Sequence, residues 1–116
     1  MKTFCWVYYS IRDGETEYGE YEPVVVNGQY DDKSEEDRAK LEKLLLFKVV
    51  GEGEFGMEID GCEENYESGY LEEEAGYRIG EIGRIDVIPE ADFKILKKYL
   101  GCTEITADFE EKVAFT

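Results

Sequence analysis

Phe4-Cys5-Trp6-Val7-Tyr8-Tyr9-Ser10-Ile11, then Arg12-Asp13-Gly14-Glu15, then the run from Tyr18 to Val26: this stretch decides the fold. Its first segment is β-branched and aromatic, the side chains that suit a pleated, half-buried surface. The polar tetrad supplies a turn and YGEYEPVVV a second strand-like run, so the pair reads as a β-hairpin. Pro23 has no amide to give to a ladder, which predicts an edge position or a bulge there. Asn27-Gly28 makes the next turn. The apolar stretch within Met1–Ile11 is short, runs into Arg12-Asp13 and has no small-residue cleavage site after it, so it reads as the first strand and not as a signal peptide.

Working outward, Ser34-Glu35-Glu36-Asp37 opens a helix. Ser34 can cap the exposed amides, and the acids favour the positive end of the helix dipole. Leu41, Leu44, Leu45 and Lys48 share one face, Arg38, Lys40 and Lys43 the other, and the helix is expected to end near Phe47, before Gly51. Glu54–Asp60 (EFGMEID) alternates Phe55, Met57 and Ile59 with polar residues and reads as a strand, followed by an acidic loop or sheet fringe over 61–76. Residues 77–88 read as one bent strand or two short ones, with Gly80 and Gly83 allowing a bulge. Pro89 fits the first turn of a second helix whose buried stripe is Phe93, Leu96 and Leu100, flanked by Ile95 and Tyr99 and stopped at Gly101. Segments 103–106 and 112–115 can each add a terminal strand. The expectation is an α+β fold, one domain over residues 1–116, with an antiparallel β-sheet and two α-helices packed on it in the approximate order ββαββαβ.

Composition supports a folded chain: 42% of its 116 residues are apolar and 14% aromatic. A chain equally charged but poor in aromatics would read as disordered. No apolar run reaches the eighteen or so residues of a membrane span. Cys5, Cys62 and Cys102 are odd in number, widely separated and without a CxxC pair, which predicts reduced thiols and a cytoplasmic setting. The charge stands apart: twenty-nine acids against thirteen bases give −16. Solubility alone seldom calls for more than about 2–8 units in a small domain. Such a charge argues against direct binding of nucleic acid or an anionic membrane, and it favours basic partners.

The same residues exclude most enzyme chemistry. There is no histidine, which removes His-based triads, imidazole bases and His metal sites. The cysteines lack zinc spacing. Gly51-Glu52-Gly53-Glu54-Phe55-Gly56 matches GxGxxG and even the glycine-rich loop of kinases. A nucleotide site, however, needs a strand before the glycines and a helix after them, and Glu52 and Glu54 repel phosphate. The oxygen-rich run from Asp60 lacks the residue order of a calcium loop, so it is expected to hold cations only loosely. No cofactor or metal is implied, and the protein is expected not to be an enzyme.

The informative stretch is 49–77, with ten acids and neither lysine nor arginine: Glu52, Glu54, Glu58, Asp60, Glu63, Glu64, Glu67, Glu72, Glu73 and Glu74. A solvated charged face normally mixes signs, because like charges close together repel. Tyr66, Tyr70 and Tyr77 are interleaved with these acids, and tyrosine supplies rigid contact area of the kind enriched at interfaces. Asp13, Glu15, Glu17, Glu20 and Glu22, with Tyr18 and Tyr21, repeat the pattern. Glu52 to Glu74, with Tyr66 and Tyr70, are therefore the candidate partner-binding residues. In composition the chain resembles the DNA-mimic inhibitors that phages and mobile elements direct against restriction or CRISPR nucleases. That resemblance implies a stoichiometric protein whose carboxylates occupy a basic groove in place of phosphates. The alternatives are an acidic immunity protein or antitoxin neutralising a basic toxin, a small-ligand module, or an acidic surface that is solubilising and nothing more. A homodimer is compatible with all of them.

Overall fold

In a computed structural model, which describes residues 1–73, 76–113 and 115, the opening hairpin forms the centre of the molecule. β1 (Lys2–Asp13) and β2 (Thr16–Asn27) pair antiparallel along their whole length around a turn at Gly14, whose φ of 63° suits glycine. β1 is apolar on both faces. Cys5, Val7, Tyr9 and Ile11 point one way and are buried, while Phe4, Trp6 and Tyr8 point the other way and are only partly covered.

Ser34 opens α1 (Glu35–Leu45), its Oγ accepting the Asp37 amide at 3.3 Å, with Glu35, Glu36 and Asp37 in the first turn as the cap requires. The α-helical part ends at Leu45, two residues from the expected Phe47, but the winding does not stop before Gly51. It widens into a π-helical segment over Leu46–Glu54 in which Leu46, Phe47, Val49, Val50 and Gly51 are all buried. Such segments are rare at this length. Here the chain is apolar almost all the way round, and Gly51 packs directly against Cys62 and Leu71, where a side chain would not fit. The strand expected over Glu54–Asp60 is absent. Its three apolar residues are spent on the end of the π segment and on the start of α2 (Ile59–Asn65), where Phe55, Met57 and Ile59 pack on the core rim. Of the two readings of 61–76, acidic loop or sheet fringe, the second holds for 66–73: most of α2 comes first, and then a small hairpin, β3 (Tyr66–Glu67) with β4 (Tyr70–Glu73), turned at Ser68-Gly69 with both φ positive, forms one end of the sheet, while 74 and 75 lie outside the described residues.

β5 (Arg78–Val87) is one bent strand, as expected. It pairs with β1, and the register slips between Tyr8 and Tyr9 because Gly83 is the extra residue. α3 (Glu90–Leu100) begins after Pro89 and ends at Gly101, whose φ is 72°. Its expected stripe is buried only at Phe93. α3 meets the sheet on β1 and β2, Leu96 is half-buried, and Leu100 is 59% exposed. β6 (Thr103–Ile105) joins β2 in parallel, which makes the sheet mixed where an antiparallel one was expected. The strand expected over 112–115 is not seen among the described residues. Thr106, whose hydroxyl accepts the Phe109 amide at 3.3 Å, starts α4 (Ala107–Lys112) instead.

The architecture is α+β: a six-stranded sheet in the order β3-β4-β5-β1-β2-β6, with four α-helices and the π segment among the described residues. β6 covers β2 only over Val24–Val26, so Pro23 sits where β2 has a free edge, as its missing amide demands. α1, the π segment, α2 and α4 lie on one face of the sheet, closing a core of Val7, Ile11, Val24, Val26, Leu71 and Ile85 against Leu41, Leu44, Leu45, Leu46, Phe47 and Val50. Each such side chain contributes roughly 1.5–3 kcal/mol by leaving water. Among the described residues only α3 packs on the other face, its Phe93 ring 5.0 Å from that of Phe4, and no other helix covers the rest of that face. Among the described residues no helix is long and apolar enough to cross a membrane.

Candidate interaction surface

Residues directly opposite one another on paired strands point to the same side. The registers therefore lay out the uncovered face row by row. Nearest the hairpin turn, Glu17, Arg12, Ile79 and Glu72 stand side by side on β2, β1, β5 and β4. The next row is Gly19, Ser10, Glu81, Tyr70 and Glu67, followed by Tyr21, Tyr8 and Arg84, and then by Pro23, Trp6 and Asp86. Neighbouring strands are about 4.8 Å apart, so Glu17 and Glu72 are held roughly 14 Å apart with Arg12 between them.

The first two rows enclose a hollow of about 490 Å3 lined by Ser10, Arg12, Glu17, Tyr70, Glu72, Ile79 and Glu81. Beside it lies an aromatic floor. Trp6 and Tyr21 stack at 5.1 Å with their planes 12° apart, and Tyr8 tilts against Tyr21 at 4.9 Å. Glycines make room for this floor: the Tyr8 ring occupies the space a side chain would take at Gly19, and a Cβ on Gly83 would come within 2.8 Å of its Cδ2. Tyr21 keeps 51% of its surface in water. Arg84 is answered by Asp86 at 2.9 Å, so the face as a whole is acidic and aromatic. Ring faces next to carboxylates match guanidinium and ammonium groups, which stack on the former and pair with the latter.

The candidate residues from the long acidic stretch go to three places. Glu67, Tyr70 and Glu72 reach the open face and join Glu17 and Glu81. Glu52, Glu58 and Asp60 lie on the opposite side of the molecule, around a shallow hollow of about 540 Å3 that also holds Lys48, Asp108 and Lys112, with Glu52 paired to Lys48 at 3.0 Å. Others serve the fold. Glu54 accepts the Tyr9 hydroxyl at 2.7 Å, Glu63 faces Lys43 at 3.4 Å, and Glu73 is bound by the Arg78 guanidinium through Nε at 2.9 Å and again through Nη2. The Tyr66 ring meets Phe47 edge-on at 5.5 Å. Glu64 is exposed on α2, and Glu74 lies outside the described residues.

A second acidic group sits on the core side of the hairpin. Glu22 is pushed above the usual carboxylate range, first by burial and then by Glu54 and Glu20, against the Thr103 hydroxyl that bonds it at 2.9 Å. Tyr9, between Glu54 and Glu20, is likewise raised by burial and by both carboxylates. Burial pushes the Cys5 thiol up to about 12 and the Cys62 thiol to about 11, which leaves both protonated at neutral pH; Cys102 is exposed. Among the described residues no group of histidine, cysteine and carboxylate side chains is arranged to hold a metal ion.

Sequence reasoning kept the apolar hairpin surface around Trp6 and Tyr8 only for the case in which charge does not govern binding, and it did not single out Ser10, Arg12, Ile79 or Glu81, which the fold places on the same face. The signal was present in β1, which is apolar at both odd and even positions and therefore needs cover on both faces. No protein-family model matches the chain, and neither a curated protein nor a solved structure matches it.

Proposed function

We propose that the protein is an acidic, protein-binding inhibitor that presents its open sheet face to a basic groove of a nucleic-acid-processing enzyme, a restriction or CRISPR nuclease being the model target. The observation that supports this reading most directly is the convergence of Glu17, Glu67, Glu72 and Glu81, from four different strands, beside exposed aromatic rings. Carboxylates held at strand spacing give the target's lysines and arginines partners in place of phosphates. Trp6, Tyr8, Tyr21 and Tyr70 supply the rigid contact area that distinguishes an anchored interface from diffuse attraction. The rigidity of the sheet matters here, since binding then orders only side chains and not backbone. The net charge of −16 steers encounter with a basic surface and keeps free nucleic acid and anionic lipid away. The absence of histidine fits a protein that acts by occupation and not by turnover, and its three thiols fit a cytosolic place of action.

The test is cleavage of duplex DNA by restriction and CRISPR nucleases with and without the purified protein. A target is inhibited stoichiometrically, and added DNA competes. Inhibition weakens steeply between about 50 and 500 mM salt. Inhibition that is indifferent to both salt and competitor DNA would rule out nucleic-acid mimicry.

A further inference from the structure

The two outer edges of the sheet are unlike. β3 is two residues long, whereas β2 runs for twelve and is covered by β6 only over Val24–Val26. Two hydrogen bonds fix which backbone groups of β2 face outward. The Gly28 amide donates to the Met1 carbonyl at 2.8 Å, one position beyond the Lys2–Asn27 pair. On the other side of β1, the Ile88 amide donates to the Phe4 carbonyl at 2.9 Å. Odd residues of β1 therefore bond β2, and the β1–β2 register carries this to the turn without a slip. It follows that even residues of β2 bond β1 and odd residues point away. Pro23 is odd, so its missing amide costs the ladder nothing. Glu17, Gly19 and Tyr21 are odd as well; all three are exposed, and no described strand pairs with their outward amides and carbonyls. Such a row is a template for another strand.

We propose that this edge takes up an extended, lysine- or arginine-bearing segment of a partner protein as a seventh strand. Charge selects the occupant. Asp13, Glu15, Glu17, Glu20 and Glu22 line the free stretch, and no lysine or arginine occurs between Arg12 and Lys33. Side chains of an added strand stand on the same side of the sheet as those they oppose. Every second one then lies beside Glu20 and Glu22, one strand spacing (about 4.8 Å between backbones) from a carboxylate. Those in between lie beside Glu17 and Tyr21. Tyr18, 40% exposed, and Tyr21, 51% exposed, add ring faces on which a cation can rest. A second copy of this chain is the wrong occupant. Its edge brings the same five acids and no base, and two charges of −16 repel. The acids that turn away a copy thus admit a basic strand. The contact is made through backbone groups, and it holds whether or not the open face meets a nuclease.

An end-blocked peptide of alternating lysine and threonine, about seven residues long, tests this on the full chain. Fluorescence anisotropy at about 50 mM salt should show saturable binding, and none when glutamate replaces lysine in the peptide. On binding, exchange of the Glu17, Gly19 and Tyr21 amides with solvent, followed by NMR, should slow by about tenfold or more. The inward amides of Tyr18, Glu20 and Glu22 should keep their rates. Glu17→Gln removes one charge and should weaken binding roughly twofold to fivefold. Glu17→Pro removes the same charge and an outward amide, and should weaken it by roughly a further fivefold to tenfold. Neither substitution touches a bond to β1, so circular dichroism should stay unchanged, and the exchange measurement needs no variant at all. The proposal is overturned if the lysine peptide does not bind, or binds as tightly when N-methylated throughout. Equal effects of Glu17→Pro and Glu17→Gln overturn it too. So does slowing of the odd-numbered amides that grows with protein concentration in the absence of peptide, which would make a second copy the occupant.

Discussion

Tyr9 reaches across 45 positions of sequence to give its hydroxyl proton to Glu54 at 2.7 Å, with Glu20 a second acceptor at 3.1 Å. The bond fastens the last residue of the π segment to the central strand. It also takes Glu54 out of the pool of carboxylates free to meet a partner. Tyr9→Phe should therefore lower stability by about 1.5–3 kcal/mol, the range for a hydrogen bond to a charged group, and leave target inhibition unaltered. Urea unfolding and the cleavage assay together check this. A loss of inhibition without a loss of stability would move Glu54 back among the contact residues.

The acids of the open face and those of α2 should behave differently. Glu17→Gln, Glu72→Gln and Glu81→Gln together should slow association with an inhibited target and flatten its salt dependence, each lost pair costing roughly 0.2–1 kcal/mol if exposed. Glu58→Gln, Asp60→Asn and Glu64→Gln remove the same charge from elsewhere and should change association far less. Tyr21→Ala or Tyr70→Ala should cost more per residue than any single acid, roughly 1–2 kcal/mol or above, seen chiefly in dissociation rate. Equal effects from the two acid triples would mean that total charge, and not this face, governs binding.

Gly51 and Gly53 make a matched pair. A Cβ at Gly51 would overlap the Cys62 sulfur and lie 3.1 Å from Leu71 Cδ2, whereas at Gly53 the nearest neighbour is the Lys48 carbonyl at 3.5 Å. Gly51→Ala is expected to destabilise by roughly 1–3 kcal/mol through overpacking. Gly53→Ala should be neutral or stabilise by up to about 1 kcal/mol through the unfolded chain. Thermal melting distinguishes them, and the result bears on the GxGxxG spacing, whose first glycine answers to packing.

Glu22 and Glu42 are both held above the ordinary carboxylate value, chiefly by burial, with Glu54 and Glu20 adding repulsion at the first and Glu81 at the second. A raised folded-state pKa means that the native chain binds those protons more tightly than the unfolded one. The stabilisation is complete below the unfolded value of about 4.5 and is lost as pH rises through the folded values. Unfolding free energy should consequently rise as pH is lowered from 7 toward about 5, helped by the shrinking net charge. Glu22→Gln, whose amide carbonyl can still accept from Thr103, should be more stable than the parent at pH 7 and show a shallower slope. A stability that falls steadily from pH 7 to 5 would contradict this.

The hairpin, the α1 start at Ser34 and the limits of α3 were legible because each rests on local chemistry: a turn tetrad, a capping hydroxyl, a proline before and a glycine after. EFGMEID misled because three apolar residues in alternation satisfy a strand template, yet Phe55, Met57 and Ile59 can equally dress the rim of a core when the chain winds. The β3–β4 hairpin was legible only as one of two alternatives, an acidic loop or a sheet fringe, because of its own composition. Only Leu71 of YESGYLEE is buried, so nothing in the pattern separates it from an acidic loop. As for the surface, the sequence marks where acids are dense but not which strands become neighbours. Glu17, Glu72 and Glu81 are assembled by the sheet order alone, and that order depends on β1 pairing with a segment that begins 65 residues after β1 ends, Arg78 after Asp13.

This long-range pairing affects how the protein is made. β1 and β2 can close on each other as soon as they leave the ribosome, but the other edge of β1 has no native partner until Arg78–Val87 has been synthesised. At ordinary translation speeds that interval is roughly 3–13 s. Throughout it, a twelve-residue strand bearing Trp6, Val7, Tyr8 and Tyr9 offers unpaired amides and carbonyls to any passing chain. The hairpin tip emerging with it carries Asp13, Glu15, Glu17, Glu20 and Glu22, and nascent copies on one messenger repel one another through these charges. The acids we propose to meet a target in the finished protein would then act first as protection against co-translational aggregation.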